Sequence, residues 1–364
     1  MKNLILIFSF ILFSDLTFSQ GLSEQEKSFE NFWHVYEDNY AFFNFYSLDW
    51  KQQYNFYRNK VNAKTNEKEL MNMFKEMLNP LNDGHSYIFK GDSNIYHTPY
   101  KCSFDNEFPN KEVIDSLWNV SYHTLESNHF LTVQGYGPKV RGNSLYFAST
   151  SDNIGYIRIS RFHGELKALF DDNFQLIDSI KSITLFDSLL AKMIDKKALI
   201  IDLRNNNGGN GWSYDLARRF IDNERVSHYI NIRQKGSHEG FSDMTEYMIK
   251  PNKNLSFQKP IIILTNCKTA SSPERFLISV KDLPYVKIIG SRTKGIFSNS
   301  MNYEIHESKS IWGTLSNERY YDSKKVCYER IGIPVDIEVF NTYGNLKNNT
   351  DSVILRAIEE LNKD

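Results

Sequence analysis

Residues 198–209 read Ala198-Leu199-Ile200-Ile201-Asp202-Leu203-Arg204-Asn205-Asn206-Asn207-Gly208-Gly209, an apolar run that ends in three Asn and two Gly. A run without polar alternation is expected of a strand buried on both faces, as in a parallel sheet. The pattern recurs at Pro260-Ile261-Ile262-Ile263-Leu264-Thr265, which leads into Thr269-Ala270-Ser271-Ser272-Pro273-Glu274. A further strand is expected at 156–159, and helical patterns at 171–194, 214–221, 274–280 and 353–361. Apolar strands alternating with helices predict an α/β domain whose mainly parallel sheet is covered on both faces. Upstream, residues 23–81 read as helix, with aromatic stripes at Phe29, Phe32, Trp33 and Tyr36 that predict core. Residues 87–147 read as irregular and strand-like, an aromatic-rich piece suited to covering a cleft.

The two loops also point to chemistry. Gly208 and Gly209 let the backbone approach a ligand closely and offer bare N–H groups to an oxyanion. Ser271 stands where a strand ends and a helix begins, near the positive end of that helix. In acyl transfer the N–H after the nucleophile commonly serves as one oxyanion donor. Pro273 follows Ser272 and has no N–H, whereas Ser272 follows Ser271 and has one. Ser271 is therefore the expected nucleophile and Ser272 a donor, with Ser272 as N-cap and Pro273 at the first helical position. An ordinary Ser-capped helix carries the same residues.

Of nine His, His85 follows the turn Asn82-Asp83-Gly84 after an amphipathic helix, which places it in a fixed loop or at the start of a strand; a turn followed by a hydrogen-bonded surface His carries the same residues. It is the candidate base, and activity is expected to rise through a neutral-range titration. Glu329 is the candidate acid that orients the imidazole. His34, His97, His123, His129, His163, His228, His238 and His306 sit in no comparable signal, and none pairs with another His or with Cys at metal-ligand spacing. No metal or cofactor is assigned.

These segments resemble the tail-specific, or C-terminal-processing, serine peptidase family. Asp49-Trp50 with Tyr54 and Tyr57, then 65–70 and the turn to His85, are similar to its helical domain. Gly155-Tyr156-Ile157-Arg158-Ile159 resembles the strand that opens its catalytic domain. Asp202-Leu203-Arg204 with Gly208-Gly209 resembles the oxyanion loop, and Ser271 to Glu274 its Ser-x-x-Glu motif. Ile289-Gly290 through Thr293 and Gly295 follow in order, then Glu329, Gly332, Pro334 and Asp336 of the tricorn-like branch. The resemblance implies a ClpP/crotonase-type fold behind a small helical domain. In the branch that uses a Ser–Lys dyad, Lys follows the Gly matched by Gly295; here that residue is Ile296. Lys294 is expected on the opposite face by alternation. A Ser-His-Glu triad of Ser271, His85 and Glu329 is thus implied, with an oxyanion hole from Gly208 or Gly209 and Ser272. Where that branch can carry Ser before its His, this chain has Gly84, and Ser86 is the candidate hydroxyl. Residues 91–153 are short for the family's PDZ domain and lack a Gly-Leu-Gly-type loop, so none is expected.

The chain has 364 residues and a formal charge of −1, which gives no electrostatic case for nucleic acid. Met1-Lys2-Asn3 and the apolar run 4–13 read as a secretory signal peptide, so an exported, periplasmic or extracellular protein without stable membrane insertion is expected. Cys102, Cys267 and Cys327 allow one disulfide without specifying a pair, and Cys267 reads as a small buried apolar residue. The expected layout is signal peptide 1–20, helical domain 21–90 carrying the His, a strand/loop segment 91–152 of unassigned role, and a catalytic α/β domain 153–364. The expected activity is peptide-bond hydrolysis on a polypeptide or peptide substrate. The alternative is a non-catalytic binding module of this fold for apolar ligands or peptides.

Overall fold

The apolar runs form neighbouring inner strands of a seven-stranded sheet in the computed structural model, which describes residues 21–46, 48–169, 171–306 and 309–363. The expected signal peptide lies outside the described residues. Across the sheet the order is Ile337–Glu338, Val286–Gly290, Ile261–Thr265, Ala198–Asp202, Ile154–Ile159, Asn143–Thr150 and Gln134–Val140. The first five run parallel, with Leu199 opposite Ile261 and Ile201 opposite Ile263. The last two are antiparallel. Every residue of Ala198–Asp202, Ile261–Thr265 and Ile154–Ile159 is buried, as a sheet with both faces covered requires.

Phe186, Leu189 and Leu190 of helix Asp172–Ala191 and Phe276 and Leu277 of helix Ser272–Val280 cover one face. Val353, Ile354, Ala357 and Ile358 of helix Ser352–Leu361 cover the other. Arg204 ties this second layer to the sheet through ion pairs to Asp202 and to Asp351, the N-cap of helix Ser352–Leu361. All three are buried, so the loss of one partner would strand an uncompensated charge.

Helices Glu24–Asn39, Trp50–Arg58 and Glu67–Leu78 form the N-terminal lobe. Two of them start with capping boxes, Ser23 with Glu26 and Asn66 with Glu69. Phe29, Phe32, Trp33 and Tyr36 are buried, and Phe32 stacks on Phe74 at 4.0 Å. The lobe does not end at residue 90. A four-stranded antiparallel sheet, ordered Ser300–His306, Ile311–Ser316, Tyr87–Lys90 and Ser93–His97, completes it, and Tyr303, Ile305, Ile311 and Leu315 belong to its core.

The reading of 87–147 as irregular and strand-like is corrected. It contains a helix, Lys111–Ser127, whose Leu117, Trp118, Ser121 and Leu125 are buried at a helical period and which Asn110 caps. This helix packs on Ser352–Leu361, and the strands Gln134–Val140 and Asn143–Thr150 extend the main sheet. Cys267 is also corrected: it is disulfide-bonded to Cys102, with Cα atoms 6.3 Å apart, while Cys327 is free.

That bond closes a loop of 165 residues. Long loops lose the most unfolded-state entropy on cross-linking. Replacing Cys102 and Cys267 together by Ser should lower unfolding free energy by up to about 5 kcal/mol. Urea unfolding with and without a thiol reductant measures this; reductant should move the parent chain and leave the double variant where it is.

Candidate active site

The strands Ala198–Asp202 and Ile261–Thr265 end side by side, so the loops that follow them lie against each other. Thr269 Oγ1 donates to Leu203 O at 2.9 Å, Ala270 N to Asn206 O at 3.0 Å, and Asn205 N to the Asn266 side-chain oxygen at 3.0 Å. This stitching holds Ser271 at φ 67°, ψ −119°, a strained conformation for a residue with a side chain. The helix begins at Ser272 with Ser271 as N-cap and Pro273 in second place, one residue from the expected arrangement. The Ser272 hydroxyl is turned away from the cap and donates to Gly209 O at 2.8 Å.

Glu274 locks the turn. Its carboxylate, fully buried, accepts from Ser271 N at 2.9 Å, Thr293 Oγ1 at 2.6 Å, Gly295 N at 2.6 Å and Ile296 N at 2.9 Å. Burial raises its pKa to about 7 against the pull of these donors. The bonds wrap 293–296 around the carboxylate, and Gly295 takes φ 82° to do so. This overturns the expectation for Lys294. Side chains alternate only along an extended strand; in this turn Lys294 faces the same cavity as Ser271. Burial lowers its pKa below the usual lysine range.

Gly208, at φ 112°, lies directly against Ser271: a Cβ there would sit 2.8 Å from the Ser271 Cβ. Its N–H donates to the Asn206 side-chain oxygen at 3.0 Å. Gly209 is bridged to Phe162, and the N–H groups of Gly209 and Ser272 have no acceptor among the described residues.

His85 reaches the site from the other lobe. Its backbone N–H donates to Asp83 Oδ1 at 2.9 Å, and Thr314 Oγ1 donates to its carbonyl. Asp83 is buried and also accepts from Ser86 Oγ at 3.0 Å and Ser316 Oγ at 3.1 Å. Ser86, expected as a hydroxyl beside the imidazole, bonds to Asp83 and Tyr36 instead. Gly84 permits the docking, since a Cβ there would lie 2.1 Å from Ile296 Cδ1 and 2.9 Å from Lys294 Nζ.

His85 and Ser271 line one cavity of about 270 Å³, together with Lys294, His97, Thr98 and Tyr100. They do not hydrogen-bond to each other, and the buried His85 Nδ1 has no partner. Burial, then the charges of Arg275 and Lys294, push the imidazole down to about 3. Glu329 lies outside the residues lining the cavity. It is buried, accepts from Phe297 N at 2.8 Å, and forms no ion pair with His85. Burial and the nearby Asp83 carboxylate raise its pKa well above the usual range. Sequence reasoning passed over His97, Thr98 and Tyr100, which carry no motif and reach the cavity by way of the strand Ser93–His97 and the chain after it. Among the described residues no group of three or more His, Cys, Asp or Glu is placed to hold a metal ion.

Residues 153–339 match the family described as Peptidase family S41, and residues 23–79 match the Tricorn protease C1 domain. A carboxyl-terminal-processing protease of Picosynechococcus sp. is 26% identical over 145 residues, 40% of this chain and 29% of that protein. The match therefore spans less than a third of that relative's length. Among solved structures, a protein of Parabacteroides merdae superposes with TM-score 0.71 at 22% identity, over 93% of this chain and 97% of that one. Mature CPAF complexed with lactacystin gives 0.60 at 14%, over 94% and 100%. The tricorn protease gives 0.55 at 16%, over 93% of this chain and 37% of the other. At these identities the structures share the fold.

The contact at Gly84 is testable. Gly84→Ala should destabilise the chain by about 1–3 kcal/mol through overpacking. Adding Ile296→Ala should recover much of that, because the two sites share the clash. Thermal unfolding of both single variants and the double variant gives the coupling; additive effects would contradict the contact.

Proposed function

Because the chain belongs to peptidase family S41, a family of serine-type peptidases, we propose that it hydrolyses peptide bonds with Ser271 as nucleophile and His85 as general base. The observation that carries this reading is the strained Ser271 facing the cavity that His85 also lines. Ser271 Oγ attacks the peptide carbonyl while His85 takes its proton, and the imidazolium then returns the proton to the leaving amine. The developing oxyanion is received by the Ser272 N–H and a glycine N–H of the 208–209 pair. Gly209 has the free N–H, whereas Gly208 must leave the Asn206 oxygen to serve.

Glu329 is the acid of this triad. In support, it has no Lys or Arg ion pair among the described residues, and only one of its oxygens is hydrogen-bonded. The buried His85 Nδ1 has no partner, and this reading requires that substrate binding bring the imidazole and the Glu329 carboxyl together. The disulfide favours an oxidising compartment and hence export, and no helix among the described residues is long and apolar enough to cross a membrane. The polar lining of the cavity argues against a carrier of apolar ligands.

A second reading has its own observation. Lys294 is partly desolvated in the same cavity, which is how an amine becomes a base. The two readings differ in pH dependence. A neutral imidazole held at about 3 keeps kcat/KM flat through the range where free His titrates, about 6.5, so the neutral-range rise expected from sequence is displaced to acid pH. A Lys294 base instead gives a limb that rises toward alkaline pH, below the usual lysine range.

Ser271→Ala should abolish hydrolysis and labelling by a serine-reactive phosphonate without unfolding the chain. His85→Ala should cost about 10³-fold or more in kcat, and Lys294→Ala much less. Glu329→Gln should lower kcat by up to about 10⁴-fold. Steady-state kinetics on a peptide that Ser271→Ala cannot cleave decides. Full activity in His85→Ala with loss in Lys294→Ala would transfer the proton to Lys294.

A further inference from the structure

A larger cavity, of about 1010 Å³, opens beside Gly209 and Asn210 and is bounded by the strands Arg225–Ile232, Thr245–Ile249 and Glu318–Asp322. Its charges balance, Asp172, Asp215 and Glu318 against Arg218, Lys250 and Arg275, so charge alone selects neither an anion nor a cation. The selective element of its wall is a histidine with a fixed tautomer.

His228 is 4% exposed and stands between the rings of Tyr214 and Tyr247, with centroids 4.5 and 4.7 Å away and interplanar angles of 13° and 5°. A chain of hydrogen bonds decides where its proton sits. Ser279 Oγ donates to Arg275 O at 3.1 Å, which uses its single proton. In the 2.8 Å contact between Ser227 Oγ and Ser279 Oγ the donor is therefore Ser227. With that proton spent, Ser227 Oγ accepts from His228 Nδ1 at 2.9 Å. Burial pushes the imidazole down to about 3, so the ring is neutral and its lone pair lies on Nε2. Nε2 has no partner among the described residues, and His228 lines the cavity. Two donors line it too: Asn210, 6% exposed with Nδ2 unpartnered, and Tyr214, whose buried Oη is unpartnered. Buried polar groups left open call for a complement. That complement donates to Nε2 and accepts from an N–H or O–H. A carboxylate has no proton for Nε2, and an ammonium has no acceptor for Asn210. A carboxamide has both, and it is planar like the rings around it.

We propose that this cavity is a specificity pocket for an uncharged carboxamide side chain of the substrate, with the His228 Nε2 lone pair as the group that recognises it. The proposal rests on the peptidase reading and adds the substrate class: peptides with Gln or Asn close to the scissile bond. Closeness follows from Gly209, which lines the cavity and carries the free N–H assigned to the oxyanion.

The test uses the Ser271→Ala chain, which should bind without cleaving, and acetylated, amidated pentapeptides of Ala with one central Gln, Asn, Glu, Lys or Met. Flanking Ala leaves the register free, so the central side chain can settle in the pocket. Calorimetric titration should show Gln or Asn binding roughly ten- to a hundredfold tighter than Glu, Lys and Met, the range of one or two hydrogen bonds that replace buried open groups. Comparing Gln with Asn identifies the length of side chain that fits. Nitrogen-15 spectra of the histidines should show His228 as the Nδ1–H tautomer, with an Nε2 resonance that moves on adding the preferred peptide and stays on adding the Met peptide. His228→Phe, which keeps a stacked ring, should bring the ratio close to one. If that variant fails to unfold cooperatively, Tyr214→Phe, which loses only a hydroxyl, should reduce the ratio. Equal binding of all the peptides, a preference for Glu or Lys, an Nε2–H tautomer, or a preference untouched in the folded variant would overturn the proposal. The outcomes separate from the peptidase reading. Carboxamide selectivity in Ser271→Ala with no hydrolysis by the parent chain would sink hydrolysis and leave the pocket; hydrolysis indifferent to the central residue would do the reverse.

Discussion

The buried carboxylate of Glu274 governs the geometry of the site. Four donors converge on it, from the Ser271 turn and from 293–296, the loops that follow two neighbouring parallel strands. A carboxyl group taken out of water must have its lone pairs filled, and here three backbone N–H groups and the Thr293 hydroxyl fill them. One interaction thereby fixes the strained Ser271, aims Lys294 inward and sets Ile296 as the surface on which Gly84 rests. The Ser-x-x-Glu spacing is the sequence expression of a helix N-terminus, where residue three reaches back to the cap.

Around it, ionisable groups are taken out of water and left in each other's company. Asp83, Glu274 and Glu329 are all shifted upward, with burial the first cause for each. His85 and Lys294 are shifted downward for the same reason. Both shifts favour neutral forms. A neutral imidazole beside a serine is the state a general base needs at the start of a reaction, and clusters of opposed shifts of this kind gather at functional clefts.

Sequence was most informative where one physical rule acted alone. The runs 198–203 and 260–265 are apolar because both faces of each strand are covered, and nothing local competes with that reading. The helix start at Ser-Ser-Pro-Glu was legible too, one residue off: Ser271 and not Ser272 is the N-cap. The misreadings have equally specific causes. Helix Lys111–Ser127 was masked by the aromatics around it, although Leu117, Trp118, Ser121 and Leu125 keep a helical period behind a capping Asn110. Lys294 was assigned a face by alternation, a rule that holds for extended chain and fails at a turn wound about a carboxylate. The partner of Cys267 was out of reach because the contact spans 165 residues and leaves no local trace. The proposed pairing of Glu329 with His85 would join residues of two lobes, and no periodicity carries such a relation.

The hairpin 300–316 belongs by sequence to the C-terminal half and by packing to the N-terminal lobe. The chain crosses from one body to the other and back between Ser271 and Glu329, so the lobes are laced together rather than strung in series. A lobe of this kind cannot be inherited or exchanged as a cassette. Cutting the gene after residue 90 would leave the strand Ile311–Ser316 without Tyr87–Lys90 along one edge, an open row of backbone groups of the sort that recruits other chains. Recombination and gene fusion should therefore have treated the two lobes as a single unit, with additions tolerated at the ends and not at the seam.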